Sequence, residues 1–193
     1  MKILIRSWMG LVIVGACLSV ASVQADEKTA YALIKEGNRH VGEDAKDKVV
    51  QIRSEKSLGS LTPNIWYVVY YDPDATTKAT QVKFGAGVKM EVKREFRLFE
   101  LASKAHLPLE REKLKIDSDK AIEVATSEPL LKNLKILSTR LTLERWEEMP
   151  VWKVRLWAAK LRNPSKDADI GEVIISAETG KILKNDLKIS RVD

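Results

Sequence analysis

The C-terminal part of the chain has the clearest alternation of apolar and polar positions. Over residues 150–158, apolar side chains such as Trp152 alternate mainly with charged ones. A period of two residues predicts a strand with one buried face. Residues 173–177 predict a second strand, which ends at a turn where Gly180 is free to adopt a positive φ. The polar residues 161–169 between them predict a hairpin loop.

The rest of the chain alternates between helical and strand patterns. Helices are predicted with N-caps at Thr29 and Ser118, because both residues precede apolar positions at helical spacing. The first predicted helix covers residues 26–41. The predicted strands cover residues 48–53, 65–71, 81–84, 88–98 and 135–144, with a short last edge near Leu187 and Ile189. Residues 99–112 are irregular and predict a joint between two halves.

The two halves follow the same order of elements: helix, strand, turn, Trp-bearing strand, polar loop, strand and Gly turn. The clearest match sets residues 64–68 (NIWYV) against residues 150–154 (PVWKV). The pattern predicts an α+β fold of two similar units, residues 26–110 and 111–193, each a helix packed on a small antiparallel sheet. Chance similarity of two such segments is the alternative interpretation.

Two segments of the second half resemble PepSY domains. Residues 114–125 (LKIDSDKAIEVA) are similar to the opening helix of that family. Residues 150–154 and then 171–183 (GEVIISAETGKIL) are similar to its closing hairpin, which typically ends in Thr-Gly-Lys. The resemblance covers residues 114–186. The first half resembles the family more loosely, since residues 85–87 (GAG) stand in place of that ending.

The PepSY resemblance implies a small helix-and-sheet fold of broadly cystatin-like kind. It supplies no catalytic residues. PepSY domains occur in propeptides of secreted metalloproteases and in envelope proteins, so the resemblance implies an inhibitory or regulatory contact with a hydrolase. Members of such a family share a fold more reliably than a function.

The N-terminus predicts a signal peptide over residues 1–25. Lys2 and Arg6 form a basic start, and an apolar stretch over residues 8–20 follows. Residues 23–25 (VQA) satisfy the small-x-small rule, so cleavage is predicted after Ala25. The apolar stretch is shorter than the roughly 20 residues that a membrane-spanning helix needs. We therefore predict export to the periplasm or cell envelope, with no membrane span after signal removal.

A lipoprotein is the alternative reading of the N-terminus. Residues 14–17 (VGAC) are similar to a lipobox, in which Cys17 would be lipidated and anchor the chain. Cys17 is the only cysteine. If cleavage follows Ala25, no disulfide is possible and the domain depends on its core. This favours a bacterial envelope over a eukaryotic secretory route.

Catalytic and metal-binding patterns are missing from the sequence. The two histidines, His40 and His106, have no carboxylate or cysteine at ligand spacing. There is no Gly-x-Ser-x-Gly elbow and no Gly-rich phosphate loop. Two carboxylate pairs are interpreted as loop or helix-cap acids, because neither has the rest of a calcium loop: Asp72 with Asp74, and Asp117 with Asp119. The net charge of +6 comes from interspersed charges, which does not favour nucleic acid.

Four aromatic residues are candidate partner contacts. Tyr67, Tyr71 and Trp157 lie on strand faces opposite the predicted core residues Trp66 and Trp152. Packing between the two repeats is an equally good interpretation of these three. The fourth candidate, Trp146, lies in a predicted turn. Aromatic residues often dominate the binding energy of interfaces.

These observations favour an exported, non-enzymatic binding or regulatory module that contacts an envelope protein such as a protease or other hydrolase. No catalytic residue, cofactor or metal is predicted. The alternative is a small-ligand carrier or sensor, with a pocket between helix and sheet or between the repeats. An enzyme of unrecognised type, using the histidines and paired aspartates, is the third hypothesis.

Overall fold

The computed structural model describes residues 28–94 and 107–192, without the side chains of residues 163–166. Several sequence predictions lie outside the described residues. They are the signal peptide with Cys17, the end of the predicted strand 88–98, most of the predicted joint, and His106.

The described chain contains two short helices and eight strands. The helices are α1 (Ala30–Gly37) and α2 (Ser118–Thr126). The strands are β1 (Val49–Ser54), β2 (Ile65–Tyr71), β3 (Ala79–Gly85), β4 (Val88–Lys93), β5 (Leu134–Trp146), β6 (Met149–Lys160), β7 (Asn163–Ser176) and β8 (Ile182–Leu187).

All eight strands form one antiparallel sheet in the order β4-β3-β2-β1-β5-β6-β7-β8. The prediction of an α+β fold with two helix-on-sheet units is therefore wrong. The strands β1 and β5 pair directly, with Ile52 opposite Leu143 and Arg53 opposite Thr142. An unpaired strand edge exposes backbone donors and acceptors, so the edges of two strands can satisfy each other. The result is one sheet-rich structure.

The predicted hairpin loop at residues 161–169 is also wrong. Most of it belongs to β7, which pairs with β6 through Asp169 opposite Trp157 and Ala168 opposite Ala158. Polar residues are compatible with a strand whose outer face meets solvent. Because these residues are polar, the sequence pattern of this part of β7 is similar to that of a loop, and the prediction failed for that reason.

The core lies between the helices and one face of the sheet. Trp66 and Trp152 are 2% and 0% exposed, which confirms their predicted core positions. Each indole Nε1–H donates to a backbone carbonyl at 2.7 Å, from Trp66 to Pro63 and from Trp152 to Ile116. A buried indole needs such an acceptor, because an unpaired buried N–H is costly.

The two helices are joined at their N-termini. The Asp117 carboxylate accepts hydrogen bonds from the Tyr31 and Ser118 amides at 3.1 and 2.6 Å. The Ser118 hydroxyl oxygen accepts one from the Ala30 amide at 3.0 Å. Ser118 is thus the first residue of α2 and Asp117 its cap. Thr29, the predicted cap of α1, makes no capping hydrogen bond. Side chains of the second half therefore cap the helix of the first.

We expect Asp117→Ala to lower the free energy of unfolding by about 2 kcal/mol, because it leaves amides of both helices without an acceptor. Urea denaturation of the two proteins measures the difference. Asp119→Ala is the matched control, since this exposed acid of the same helix turn lacks such a bond. Its expected loss is about 0.5 kcal/mol from the helix dipole. Equal losses would contradict the shared cap.

Candidate protein-binding face

The face of the sheet opposite the helices is the candidate site, and we call it the open face. Residues directly opposite each other in paired strands share a face. Register therefore defines one row across seven strands: Lys83, Tyr67, Arg53, Thr142, Lys153, Ile174 and Lys184. In the described part of the chain, both helices pack against the other face, where Trp66 and Trp152 lie. Of the two faces of the sheet, the open face is therefore the one that neither described helix covers.

All four aromatic candidates lie on the open face. Tyr67 and Tyr71 are four residues apart on β2, so their side chains point to the same side. Trp157 of β6 and Trp146 of β5 are at positions in phase with Lys153 and Thr142 of the same row. Each of the four is half-buried. Trp146, which was predicted in a turn, is the last residue of β5.

Tyr67 is held between two cations. The Arg53 guanidinium lies 4.3 Å from the ring centroid, and the Lys83 ammonium lies 5.2 Å from it. The Tyr67 hydroxyl donates to Glu55 Oε1 at 2.5 Å. The pKa of Lys83 is raised, first through the side chain of Tyr67 and then through the charge of Glu55. These contacts fix the orientation of the ring before any partner arrives.

Trp157 is held by cations from both halves of the chain. The Lys56 ammonium lies 4.7 Å from the ring centroid and the Arg140 guanidinium 5.9 Å from it. Lys56 belongs to the loop after β1 and also forms an ion pair with Asp167 at 2.6 Å. Trp157 is therefore partly packed between the two halves, as the alternative interpretation of this residue predicts. Its half-buried ring is still available on the open face.

Tyr71 and Trp146 have different surroundings. Tyr71 packs against a small second cluster of Val50, Val69 and Ala79. These three apolar residues are buried on the open face itself. Trp146 lies beside the β5–β6 turn and is opposite Met149 in the strand pair. Tyr71 therefore has a packing role, whereas Trp146 borders an exposed turn.

The charges of the open face are largely paired. Lys153 and Glu144 form an ion pair at 2.5 Å, and Arg155 and Asp169 form one at 2.8 Å. Such a mixed surface is neither a basic nor an acidic patch. It fits a protein partner with charges of both signs better than a uniformly charged polymer.

Sequence reasoning did not single out the cations around the aromatic rings. The signal for two of them is present, because Arg53 and Arg140 occupy alternate strand positions in phase with the outer face. Lys56 gave no such signal. Its loop reaches Trp157 only because β1 pairs with β5, and the Ser57 amide then donates to the Thr139 carbonyl at 2.8 Å.

Asp72 and Asp117, two of the four carboxylates weighed as metal ligands, have structural partners. Asp72 is buried and accepts hydrogen bonds from the Thr80 hydroxyl at 2.6 Å and the Asp74 amide at 3.1 Å. His40 Nε2 lies 3.5 Å from Glu36. Within residues 28–94 and 107–192, no group of three or more His, Cys, Asp or Glu side chains is arranged to hold a metal ion.

No helix in these ranges is long and apolar enough to cross a membrane.

Two surface grooves lie away from the core. One of about 500 Å³ runs along the outer side of α1 and includes Lys35, Arg39 and Asp117 in its lining. The other, of about 380 Å³, lies between the β5–β6 and β7–β8 turns. The space between the helices and the sheet is filled by large side chains, including Trp66 and Trp152.

The comparisons with known proteins identify a related fold. A crystal structure of a "putative lipoprotein" from Clostridium difficile 630 is similar, with a TM-score of 0.53 and 15% sequence identity. The match covers 83% of this chain and 95% of that chain. No family model and no curated protein sequence matches the chain. At this identity, the likeness shows the fold alone.

Proposed function

We propose that this chain is an exported, non-enzymatic binding or regulatory module whose open face contacts an envelope protein such as a protease or other hydrolase. The observation that carries the proposal is that Tyr67, Tyr71, Trp146 and Trp157 all lie on the open face of the sheet. Cations hold two of these rings in place. Aromatic side chains that are already ordered lose little conformational entropy on binding, so they are effective anchors.

Export is supported by the N-terminal sequence, with its basic start, apolar stretch and cleavage motif before Asp26. The description of the structural neighbour as a lipoprotein is compatible with an envelope location. Cleavage after Ala25 and anchoring at Cys17 both leave the described domain outside the cytoplasm. The choice between them decides whether the module diffuses freely or remains at a membrane surface.

A hydrolase partner is supported by the PepSY resemblance of residues 114–186. A non-enzymatic role is supported by the structural use of the carboxylates, since Asp72 closes a turn and Asp117 caps two helices. The alternative is a small-ligand carrier or sensor, with a pocket between helix and sheet or between the repeats, and the first of these locations is filled by side chains. Trp66, Tyr70 and Trp152, all buried, occupy that space.

The test is a crosslinking pull-down from bacterial envelope extract, using the mature chain from Asp26 onward. We expect one protease or other hydrolase to be recovered and its activity to change when the purified chain is added. The double variant Tyr67→Ala/Trp157→Ala is expected to bind this partner at least tenfold more weakly, because hot-spot aromatics each contribute about 2 kcal/mol.

The matched control is Lys120→Ala/Glu123→Ala, which removes an exposed ion pair of 2.7 Å from the outer side of α2. This control is expected to bind like the original chain. Circular dichroism confirms that both variants are folded. Equal recovery with all three proteins would reject the open face as the contact surface. A small molecule that co-purifies in place of a protein would support the carrier.

A further inference from the structure

The turn between β5 and β6 has an unusual backbone. It consists of Glu147 and Glu148, whose φ angles are +49° and +71°. Two successive left-handed residues define a type I′ hairpin turn, which strongly favours Asn-Gly. Glutamate at both positions is strained, because its Cβ crowds the backbone there. The chain thus keeps two carboxylates at the tip of a hairpin at a cost in stability.

Arg145 holds this tip in a fixed position. Its Nη1 donates to the Glu148 carbonyl at 3.0 Å, and its Nη2 donates to the Pro108 carbonyl at 2.8 Å. The Arg145 side chain is only 11% exposed. The guanidinium therefore ties the turn to the segment before α2, and the turn presents its side chains from a rigid base.

A groove of about 380 Å³ lies between this tip and the β7–β8 turn. Met149 and Leu183 line it, and each is 41% exposed. Glu147, Glu148 and Glu178 also line it, beside the one cation of its lining, Lys113. These features combine exposed apolar surface with an excess of carboxylates.

Two lysines near the groove have carboxylate partners. Lys113 forms an ion pair with Glu110 at 2.6 Å, and Lys115 forms one with Glu178 at 3.1 Å. Glu147 is exposed and has no ion pair with any of the described residues. Three carboxylates and one lysine thus line the groove, in a chain whose net charge is +6.

We propose that this groove docks a segment of a partner protein that carries a Lys or Arg next to an apolar side chain. The cation meets the Glu147 carboxylate, and the apolar side chain packs on Met149 and Leu183. Charge and apolar complementarity select this partner, and the rigid turn lowers the entropy cost of binding it. The inference depends on the tip and groove alone and goes beyond the open face.

The experiment is an NMR titration of the mature chain with two synthetic peptides, Leu-Arg-Leu-Arg and Leu-Glu-Leu-Glu, both with blocked ends. We expect the basic peptide to shift the Met149 methyl signal and the amides of Glu147 and Leu183, and the acidic peptide to leave them unchanged. Equal shifts with both peptides, or no shift at these positions at millimolar basic peptide, would overturn the proposal.

Two double variants distinguish the effect of the carboxylate charges on peptide binding from the effect of the strained turn backbone on stability. Glu147→Asn/Glu148→Gly is expected to raise the melting temperature and to weaken basic-peptide affinity at least tenfold. Glu147→Gln/Glu148→Gln keeps the strained backbone and is expected to lose the same affinity without that rise in melting temperature. Undiminished peptide affinity in both variants would overturn the role of the tip. The Tyr67→Ala/Trp157→Ala variant is expected to bind the peptide normally, so failure of the open face and failure of the groove are distinguishable.

Discussion

Trp152→Ala is expected to lower the free energy of unfolding by about 4 kcal/mol, the range for removing a large aromatic side chain from a packed core. Trp152 is fully buried, lies 6.2 Å from the Tyr31 ring and donates to the Ile116 carbonyl. The Tyr31 hydroxyl donates to the same carbonyl at 2.6 Å. The substitution therefore leaves a cavity where the two helices meet the sheet. Urea denaturation monitored by circular dichroism gives the change.

The control for this prediction is Trp157→Ala on the open face. Trp157 is half-buried, and its contacts are with cations that remain solvated after its removal. Its expected loss is about 1 kcal/mol. Similar losses for the two tryptophans would contradict the assignment of one face to the core and the other to solvent.

Gly171→Ala is expected to lower the free energy of unfolding by about 3 kcal/mol. Gly171 has a φ of +104°, and an added Cβ would lie 2.1 Å from the Asp186 carbonyl oxygen of β8. That atom is backbone, so the strand itself must shift. Because Gly171 pairs with Leu187, the substitution disturbs the start of the β7–β8 ladder. Thermal and urea unfolding measure the loss.

Gly59→Ala is the matched control for Gly171. Gly59 also has a positive φ, +74°, but an added Cβ would meet no atom within 4 Å. Only the backbone strain remains, which is about 1 kcal/mol. Equal losses of unfolding free energy for the two substitutions would contradict the close approach of the Asp186 carbonyl to Gly171.

Local elements were predictable where one residue pattern dominates. The run IWYVVYY predicts a strand over residues 65–71, and β2 has these bounds. The core positions of Trp66 and Trp152 follow from the same alternation. The joining of the two halves into one sheet could not be predicted from this alternation, because the pairing of β1 with β5 depends on which strand edges meet. Sequence patterns describe the faces of a strand and carry little information about its neighbours.

The sequence predicted which aromatic residues belong to the candidate site, but it did not predict how the strands that carry them are arranged. Alternation predicted that Tyr67, Tyr71 and Trp157 face away from the core. Only the register of β1 with β5 places β2 and β6 on one continuous face. The strained turn at Glu147 gave no signal, since glutamate is not a typical residue of type I′ turns. The role of the four aromatics as partner contacts remains a prediction.

Site-specific photo-crosslinking in the producing cell tests the central claim most directly. A photoreactive amino acid replaces Arg140 on the open face in one variant and Glu123 on the outer side of α2 in another, since both side chains are exposed. We expect a protein adduct from position 140 and none from position 123, with a protease or other hydrolase identified in the adduct. Adducts from position 123 alone would contradict the open face as the binding surface.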